Sequence, residues 1–250
     1  MKWKFIDTGY HPGSFNMEFD ESLAIQSKFN SDSQILRVYG WHPPAISIGY
    51  NQELQDFDLI KLSDAGIDMI RRPTGGRAIL HANELTYSVV MQMDNEKPKE
   101  IYQTVNNALL CGLKYLGIEA CLTTSSDNFS KLYKDNISLP CFSTSAKSEI
   151  QHNGRKLIGS AQRRYGSVIL QHGSFLLGPQ HRNITDYFAP KIREMRSVIE
   201  SALLQRTTDA KTILNRDVTY EEAANAIRSG FEYYYGMCFE ISPSLDTIMQ

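Results

Sequence analysis

The chain has 250 residues, a mass of 28.4 kDa and a formal net charge of −2. This length allows a full hydrophobic core in one large or two small domains, and we expect one. The nearly balanced charge gives no overall field for nucleic acid or an anionic membrane surface, because both require a clustered excess of Lys and Arg. We therefore expect neither as a partner.

Targeting signals and paired cysteines are not evident in the sequence. The first residues lack the apolar core of a secretory signal, and no window approaches the roughly 18 apolar residues of a membrane helix. We therefore expect a cytoplasmic protein. The spacing of the four cysteines is irregular, which argues against a disulfide framework or a paired metal or redox motif. They are Cys111, Cys121, Cys141 and Cys238.

A helix and two strands are predicted in the first 50 residues. Asn16 is predicted to cap a helix that runs through Phe29, because acidic residues follow in the first turn and suit the positive helix N-terminus. Residues 34–50 are predicted to form two short strands around the corner Trp41-His42-Pro43-Pro44, since proline cannot donate to a strand ladder.

The middle of the chain alternates between strand and helix patterns. Residues 85–93 alternate apolar with polar side chains, which predicts a half-buried strand. Apolar residues from Ile101 to Leu116 recur at steps of three and four, which predicts an amphipathic helix that ends at Gly117. Asn153-Gly154 predicts a tight hairpin, because a type I′ turn needs positive φ at both positions. Two further strands are predicted around 160–163 and 168–176.

The last part of the chain is predicted to be helical. Thr219 begins a capping box before a helix that Gly236 closes. Together the patterns predict an α+β fold with mostly antiparallel strands in the middle and helices on the faces and at the C-terminus. No long linker interrupts it, so we expect residues 1–250 to form a single domain with a helical tail from about 180 to 250.

The segment IRRPTGGRAILHANELTYSVV, residues 70–90, is the first candidate for chemistry. Gly75 and Gly76 would let backbone N–H groups approach a ligand oxygen closely. Arg71 and Arg72 would point to opposite faces of a continuing strand, and we favour Arg72, nearer the turn, as the ligand-side residue. The same pattern also fits an ordinary tight turn with exposed arginines.

Cys141 is the candidate nucleophile among the cysteines. It follows a proline in a polar segment typical of a loop, whereas Cys111 lies in a predicted helix and Cys121 and Cys238 have apolar neighbours typical of buried thiols. A lone loop cysteine could equally be inert. A thiol with a pKa near 8.5 also needs a neighbour that lowers the pKa before it reacts at neutral pH.

Lys156, just after the predicted hairpin turn, could be that neighbour. An ammonium ~4 Å from a thiolate, at an effective dielectric constant of about 20, stabilises it by roughly 4 kcal/mol. Even half of this would lower the thiol pKa by more than one unit. The alternative for Lys156 is a solvated strand lysine. His81, His152 and His172 lack the spacing of metal ligands, and we expect no metal site.

Three ordered segments of the chain resemble the lipoate-protein ligase A/biotin ligase superfamily, most closely its cysteine-dependent octanoyltransferases. The segments are IRRPTGGRAILHANELTYSVV, LPCF and NGRKLIGSAQRRYGSVILQHGSF. The resemblance implies a class II biotin/lipoate ligase-like catalytic fold, in which helices flank a central mixed, mostly antiparallel sheet. It covers nearly the whole chain, from the first helix to about residue 200.

The resemblance also implies roles for particular residues. Cys141 corresponds to the acyl-thioester nucleophile, and Lys156 to the lysine that lowers its pKa and contacts the acyl carbonyl. No metal or cofactor is implied. The residues expected to line the acyl-binding pocket are Arg72, Gly75, Gly76, Arg77, His81, Gly159, Ser160 and Ala161.

The reaction implied is transfer of an octanoyl group from acyl carrier protein, through Cys141, to the lysine of an apo lipoyl domain during lipoate biosynthesis. Expected acceptors are the glycine cleavage H protein and the E2 subunits of 2-oxoacid dehydrogenases. Three alternatives remain open: an ATP-dependent lipoate ligase that does not need Cys141, amidotransfer between lipoyl domains, and a non-catalytic module that binds acylated domains.

Two departures from the ligase pattern bear on these alternatives. Arg77 stands where ATP-dependent ligases of this superfamily usually have a third glycine, and the cysteine transferases tend to carry this arginine. It therefore favours thioester chemistry. Ala82 replaces the acid of the superfamily's His-Asp pair, which leaves the role of His81 open.

Overall fold

A computed structural model describes residues 2–29, 33–123 and 149–241 of the chain. The strands are β1 (Lys2–His11), β2 (Ser33–Trp41), β3 (Ala45–Ile48), β4 (Asp68–Arg71), β5 (Ile79–His81), β6 (Glu84–Gln92), β7 (Cys121–Leu122), β8 (Ile150–His152), β9 (Arg155–Tyr165), β10 (Val168–Leu176) and β11 (Glu240–Ile241). The α-helices are α1 (Gly13–Gln26), α2 (Leu59–Asp64), α3 (Pro98–Tyr115), α4 (Arg196–Arg206), α5 (Ala210–Leu214) and α6 (Tyr220–Tyr235). Three 3₁₀ segments are Leu54–Asp56, Pro179–Tyr187 and Pro190–Met195.

A mixed sheet of eight strands dominates the described part of the chain. Its strand order is β11-β1-β2-β6-β10-β9-β8-β7. β1 runs parallel to both of its neighbours, and the other pairs are antiparallel. The predicted α+β class and the central mixed, mostly antiparallel sheet are thereby confirmed. A second sheet of order β4-β3-β5 was not predicted.

Helices cover both faces of the large sheet. On one face, α3 and α6 pack against β2 and β6 through residues such as Leu109, Ile227 and Val89. On the other face, α1 packs through residues such as Leu23 against Val90. β6 is therefore buried along both faces, and its prediction as a half-buried strand was wrong. The polar side chains of its alternating pattern face the covered interior of the protein rather than water.

The start of α1 also differs from the prediction. The helix begins at Gly13 after Pro12, so Asn16 lies inside the helix and is not its cap. The fully buried Asn16 amide donates to the backbone oxygens of His11, at 3.1 Å, and Gly40, at 3.0 Å. Asn16 therefore ties α1 to β1 and β2, because buried polar groups require such partners.

The hairpin prediction is confirmed, with one change in the strands. Asn153 and Gly154 have φ of 49° and 74°, as a type I′ turn requires. The strand predicted separately around residues 160–163 is the continuation of the return strand, since β9 runs unbroken from Arg155 to Tyr165. The predicted break between two strands is therefore absent from β9.

Helices and 3₁₀ segments make up most of the described C-terminal residues from 180 to 241. Thr219 accepts a hydrogen bond from the Glu222 backbone at the start of α6, and Gly236 ends the helix with φ of 61°. The region is not helical throughout, because β11 pairs with β1 at the sheet edge. No helix in the described ranges has the length and apolar character needed to cross a membrane.

The described cysteines differ from their predicted environments. Cys121 and Cys238 are exposed, although their apolar neighbours in sequence had indicated buried thiols, and Cys111 on α3 is half-buried. Cys121 belongs to β7, which within the described ranges lies at the edge of the large sheet with β8 as its neighbour. Apolar neighbours in sequence therefore did not determine burial here.

His181 is expected to make the protein less stable in mild acid. Burial, with Arg182 nearby, lowers the pKa of His181 to about 3. Because an unfolded histidine has a pKa near 6.5, the unfolded chain binds the proton first, and stability falls as the pH drops below about 6.5. By about pH 5 we expect a loss of about 2 kcal/mol from this group.

Urea unfolding of the protein and of His181→Gln at about pH 7.5 and about pH 5 measures this contribution. The variant should show a smaller loss of stability between the two pH values. Equal losses in both proteins would contradict the assignment.

Candidate active site

A cavity of about 120 Å³ lies where the two sheets meet. Residues of α1, β2, β3, β5, β6, β9 and β10 line it, together with the segment that connects β4 to β5. Of the eight residues predicted for the pocket, six line this cavity: Arg72, Gly76, His81, Gly159, Ser160 and Ala161. The structure thus brings together two motifs that are about 80 residues apart in sequence.

Gly173 of β10 keeps the floor of the cavity flat. A Cβ atom at this position would lie 2.5 Å from the Gly159 backbone oxygen and 2.8 Å from the Tyr87 ring. Real Cβ atoms do not approach backbone so closely. Because a larger residue would push β9 away from β10, the glycine preserves the space beside Gly159, Ser160 and Ala161.

Arg72 lines the cavity and also holds the glycine loop in place. Its buried guanidinium donates to the backbone oxygens of Gly75, Arg77 and Ser47 at 3.0, 2.6 and 3.0 Å. Arg71 is exposed and points elsewhere, toward the carbonyls of the segment after β3. The two arginines therefore face different sides, as predicted, and Arg72 lies on the cavity side.

The glycine loop packs tightly against the end of β3. A Cβ atom on Gly49 would lie 1.9 Å from the Gly76 oxygen, and Gly76 itself has φ of 98°. Gly75 is exposed, and a Cβ there would touch nothing within 4 Å. Gly75 and the half-buried Arg77 belong to the loop but do not line the cavity. Their role in binding an acyl group stays a prediction.

His81 has an acidic partner despite the alanine that follows it. Its Nδ1 lies 2.9 Å from Glu84 Oε1, and its Nε2 lies 2.7 Å from Ser47 Oγ. The ring stacks on Trp41 with a centroid distance of 3.9 Å. Glu84, three positions later, is thus an acidic partner of His81, whereas the adjacent Ala82 has no polar side chain. Glu84 was not predicted, because the superfamily pattern places the acid directly after the histidine.

A buried polar network missed by the sequence analysis connects α1 to the glycine loop. Arg37 donates to Asp20 Oδ1 at 2.7 Å, and Tyr39 donates to Asp20 Oδ2 at 2.8 Å. His172, which lines the cavity, lies 3.2 Å from the same carboxylate and 2.7 Å from Thr74 Oγ1. An arginine in the apolar run of β2 was the signal that could have indicated this network, because buried charges need partners.

The charge state of Asp20 follows from these contacts. Burial alone would raise the pKa of the Asp20 carboxyl, but the Arg37 guanidinium and the His172 ring outweigh burial and hold the pKa below its usual value. Asp20 is therefore a carboxylate at neutral pH. It fixes His172, and His172 in turn fixes Thr74 of the glycine loop.

Lys156 is buried and paired with a carboxylate. Its Nζ lies 2.5 Å from Glu149 Oε1, and both side chains are 4% exposed. The alternative of a solvated strand lysine is therefore wrong. Lys156 lies on β9, three residues before Gly159, while Glu149 directly precedes β8 and lines the cavity. The hairpin brings the two residues together, and Glu149 had not been predicted.

Cys141, the predicted nucleophile, lies outside the described residues, so its relation to Lys156 stays a prediction. Within the ranges that the structure describes, no group of three or more His, Cys, Asp or Glu side chains has the arrangement of a metal site.

Solved structures of similar shape are lipoate-protein ligases. A bipartite lipoate protein ligase from Thermoplasma acidophilum, solved with its E2 lipoyl domain, has a TM-score of 0.78 at 22% identity, covering 100% of this chain and 90% of that one. A lipoate-protein ligase A bound with ATP has a TM-score of 0.73 at 23% identity, covering 100% and 92%. The fold is that of the lipoate-protein ligase class.

Sequence comparison gives the family. The chain belongs to the lipoyl protein ligase A/B catalytic domain family, whose model matches residues 12–232. Octanoyltransferase LipM of Geobacillus kaustophilus is 36% identical over 236 residues, covering 92% of this chain and 85% of that protein. Octanoyltransferase LipM of Symbiobacterium thermophilum is 37% identical over 246 residues, covering 94% and 87%. The resemblance inferred from the three sequence segments is confirmed.

Proposed function

We propose that this protein transfers an octanoyl group, through a thioester on Cys141, to the lysine of a lipoyl domain. The octanoyltransferase activity expected from the sequence is confirmed by the relatives of that name. The observation that carries the rest of the proposal is the desolvated Lys156, held beside a cavity that the predicted pocket residues line.

The proposed donor is octanoyl-acyl carrier protein, and the proposed acceptors are apo lipoyl domains such as the glycine cleavage H protein and E2 subunits. The T. acidophilum ligase that shares the fold was solved with an E2 lipoyl domain, which supports an acceptor of this kind. We propose that residues 1–250 act as one catalytic domain in the cytoplasm, where a nucleophilic thiol stays reduced.

The proposed reaction has two acyl transfers. The Cys141 thiolate attacks the donor carbonyl, and the carrier thiolate leaves with the electron pair of the broken C–S bond. The acceptor amine then attacks the new thioester, the C–S bond breaks with its electron pair on sulfur, and the Cys141 sulfur takes the proton that the nitrogen loses. Splitting the transfer in this way predicts ping-pong kinetics. Backbone N–H groups of the glycine loop or near Lys156 would stabilise the oxyanion, an effect of about 3 kcal/mol per donor.

Glu149 limits how strongly Lys156 can activate the thiol. An ammonium ~4 Å from the thiolate stabilises it by about 4 kcal/mol at an effective dielectric constant of 20. A carboxylate ~6 Å from the same sulfur opposes this by about 2.8 kcal/mol. The net effect is about 1.2 kcal/mol, which lowers the thiol pKa by about one unit. The pair therefore acts on the thiol as a dipole rather than as a lone cation.

The walls of the cavity suit an apolar chain. Trp41, Ile79 and Ala161 line it, and the open floor beside Gly173 leaves room along β9. Burial of an eight-carbon tail stabilises the bound state by about 0.8 kcal/mol per methylene, or about 5 kcal/mol in total. The choice of chain length would then depend on where this apolar space ends.

Intact-mass spectrometry tests the proposed acyl-enzyme. After incubation with octanoyl-acyl carrier protein, the wild-type protein should gain the mass of one octanoyl group in place of one proton. Cys141→Ser should give no hydroxylamine-labile adduct, and Lys156→Ala should form the adduct much more slowly. Full transfer activity in Cys141→Ala, or pyrophosphate exchange into ATP with free lipoate, would instead favour an ATP-dependent ligase.

A further inference from the structure

The second carboxylate oxygen of Glu149 is an unusual buried group. Oε1 contacts Lys156, but Oε2 is buried and has no hydrogen-bond partner in the structure as far as it is described. Most buried polar atoms in proteins are hydrogen-bonded, and exceptions often mark functional sites. Glu149 is one of the residues that line the cavity, so this unsatisfied acceptor belongs to a side chain at the wall of the proposed acyl site.

We propose that Glu149 Oε2 binds the lysine ammonium of the incoming lipoyl domain and accepts its proton before the amine attacks the thioester. The inference rests on the proposed function and assigns a catalytic group for its second half-reaction.

The second half-reaction needs such a group. A free lysine amine has a pKa near 10.4, so only about one molecule in 10³ carries the nucleophilic lone pair at neutral pH. Desolvation of an ammonium that enters an apolar cavity favours its neutral form, provided that an acceptor takes the proton. A buried carboxylate oxygen without a partner can both attract the ammonium and accept this proton.

The other titratable groups that line the cavity are less suitable. Both ring nitrogens of His81 are occupied by Glu84 and Ser47. The His172 nitrogens contact Asp20 and Thr74. Arg72 is a permanent cation whose guanidinium donates to loop carbonyls. Glu84 also has an unpartnered carboxylate oxygen, but it does not line the cavity.

Lys156 is also an unsuitable first acceptor, because its ammonium is paired with Glu149 Oε1. The two residues would instead have different roles in the reaction. The Lys156 ammonium stabilises negative charge on sulfur and on the oxyanion, and Glu149 accepts a proton from nitrogen.

The acceptor nitrogen loses two protons during this step. The acceptor ammonium gives one proton to Glu149 Oε2, and the resulting amine forms a C–N bond to the thioester carbonyl. Collapse of the oxyanion breaks the C–S bond, and the electron pair leaves with sulfur. The sulfur takes a second proton from the nitrogen, which keeps one in the amide product. Glu149 then releases its proton to solvent, and the site is restored.

Single-turnover deacylation of the octanoyl-enzyme by two different acceptors tests this role. A lipoyl-domain lysine arrives as an ammonium, whereas hydroxylamine is uncharged at neutral pH and needs no base. For Glu149→Gln we expect transfer to the lipoyl domain to slow by about 10²-fold or more, while cleavage by hydroxylamine keeps the wild-type rate. Glu149→Asp should recover part of the transfer. Glu119→Gln, which alters an exposed carboxylate before β7, should match the wild type in both reactions.

The pH profile provides a readout that a purely structural role would not change. Transfer by Glu149→Gln should rise about tenfold per pH unit, because only solvent then deprotonates the amine. The wild-type protein should show a shallower rise with the lysine acceptor and a different profile with hydroxylamine. This wild-type comparison does not depend on the folding of any variant.

Several outcomes would overturn the inference. One is a normal rate of transfer to the lipoyl domain by Glu149→Gln, and another is equal slowing of this variant with both acceptors. A third is a wild-type pH profile that follows the titration of a free lysine amine. A wild-type protein that never forms the octanoyl adduct would instead refute the proposed function itself. The two failures are therefore distinguishable.

Discussion

Replacement of Lys156 by methionine is expected to slow octanoyl transfer by about 10²- to 10³-fold, since it removes one charged group that stabilises the thiolate and the oxyanion. It should also lower the free energy of unfolding by about 3–5 kcal/mol, because the Glu149 carboxylate stays buried without its cation. Single-turnover acylation measures the first effect, and urea unfolding measures the second.

A double variant separates these two effects. Lys156→Met combined with Glu149→Leu removes both charges, and its stability should return to within about 1 kcal/mol of the wild type because no buried charge is left unpaired. Its transfer activity should stay low. Recovery of activity together with stability would mean that Lys156 acts only on folding, and the proposed catalytic role would be wrong.

Apart from changes to the Lys156–Glu149 pair, we expect the largest loss of stability when the buried ion pair between Arg37 and Asp20 is broken. Both side chains are fully buried, and Arg37 also lies 3.9 Å from the centroid of the Tyr39 ring. Arg37→Met is expected to lower the free energy of unfolding by about 3–5 kcal/mol, because Asp20 loses its cation. Since Asp20 also holds His172 beside the cavity, transfer activity should fall as well.

Lys2→Met is the matched control for this prediction. Lys2 pairs with Glu240 at 3.6 Å, but the two side chains are 72% and 49% exposed. An exposed pair of this kind contributes at most about 1 kcal/mol, so the variant should stay within about 1 kcal/mol of the wild type. If the two variants had the same stability, burial of the Arg37 pair would not have the energetic weight assigned to it.

Sequence patterns correctly predicted the elements whose signals lie within a few neighbouring residues. The α3 periodicity, the Asn153-Gly154 turn and the Thr219 cap depend on neighbours within a few residues, and the structure confirms all three. The predicted start of α1 was wrong. An Asn before acidic residues can cap a helix, but its side chain can instead make tertiary hydrogen bonds. Asn16 contacts β1 and β2 instead of capping the helix.

Sequence motifs predicted part of the candidate site. Arg72, Gly76, His81 and the run Gly159–Ala161 were predicted together from the family resemblance, and they line one cavity. Their roles in acyl binding, and the role of Cys141 as nucleophile, remain proposals. The partners that define how these residues work lie elsewhere in the chain and have no local signal.

Sequence by itself determined the class of fold, the helices and turns, the family and the residues of the glycine loop, because short-range periodicity and ordered motifs encode them. Only the tertiary structure decided which charges meet inside the protein. Glu149 pairs with Lys156 across a hairpin, and Asp20 with Arg37 between helix and sheet. The energies of these buried pairs depend on distance and desolvation in three dimensions, and neither quantity can be read along the chain.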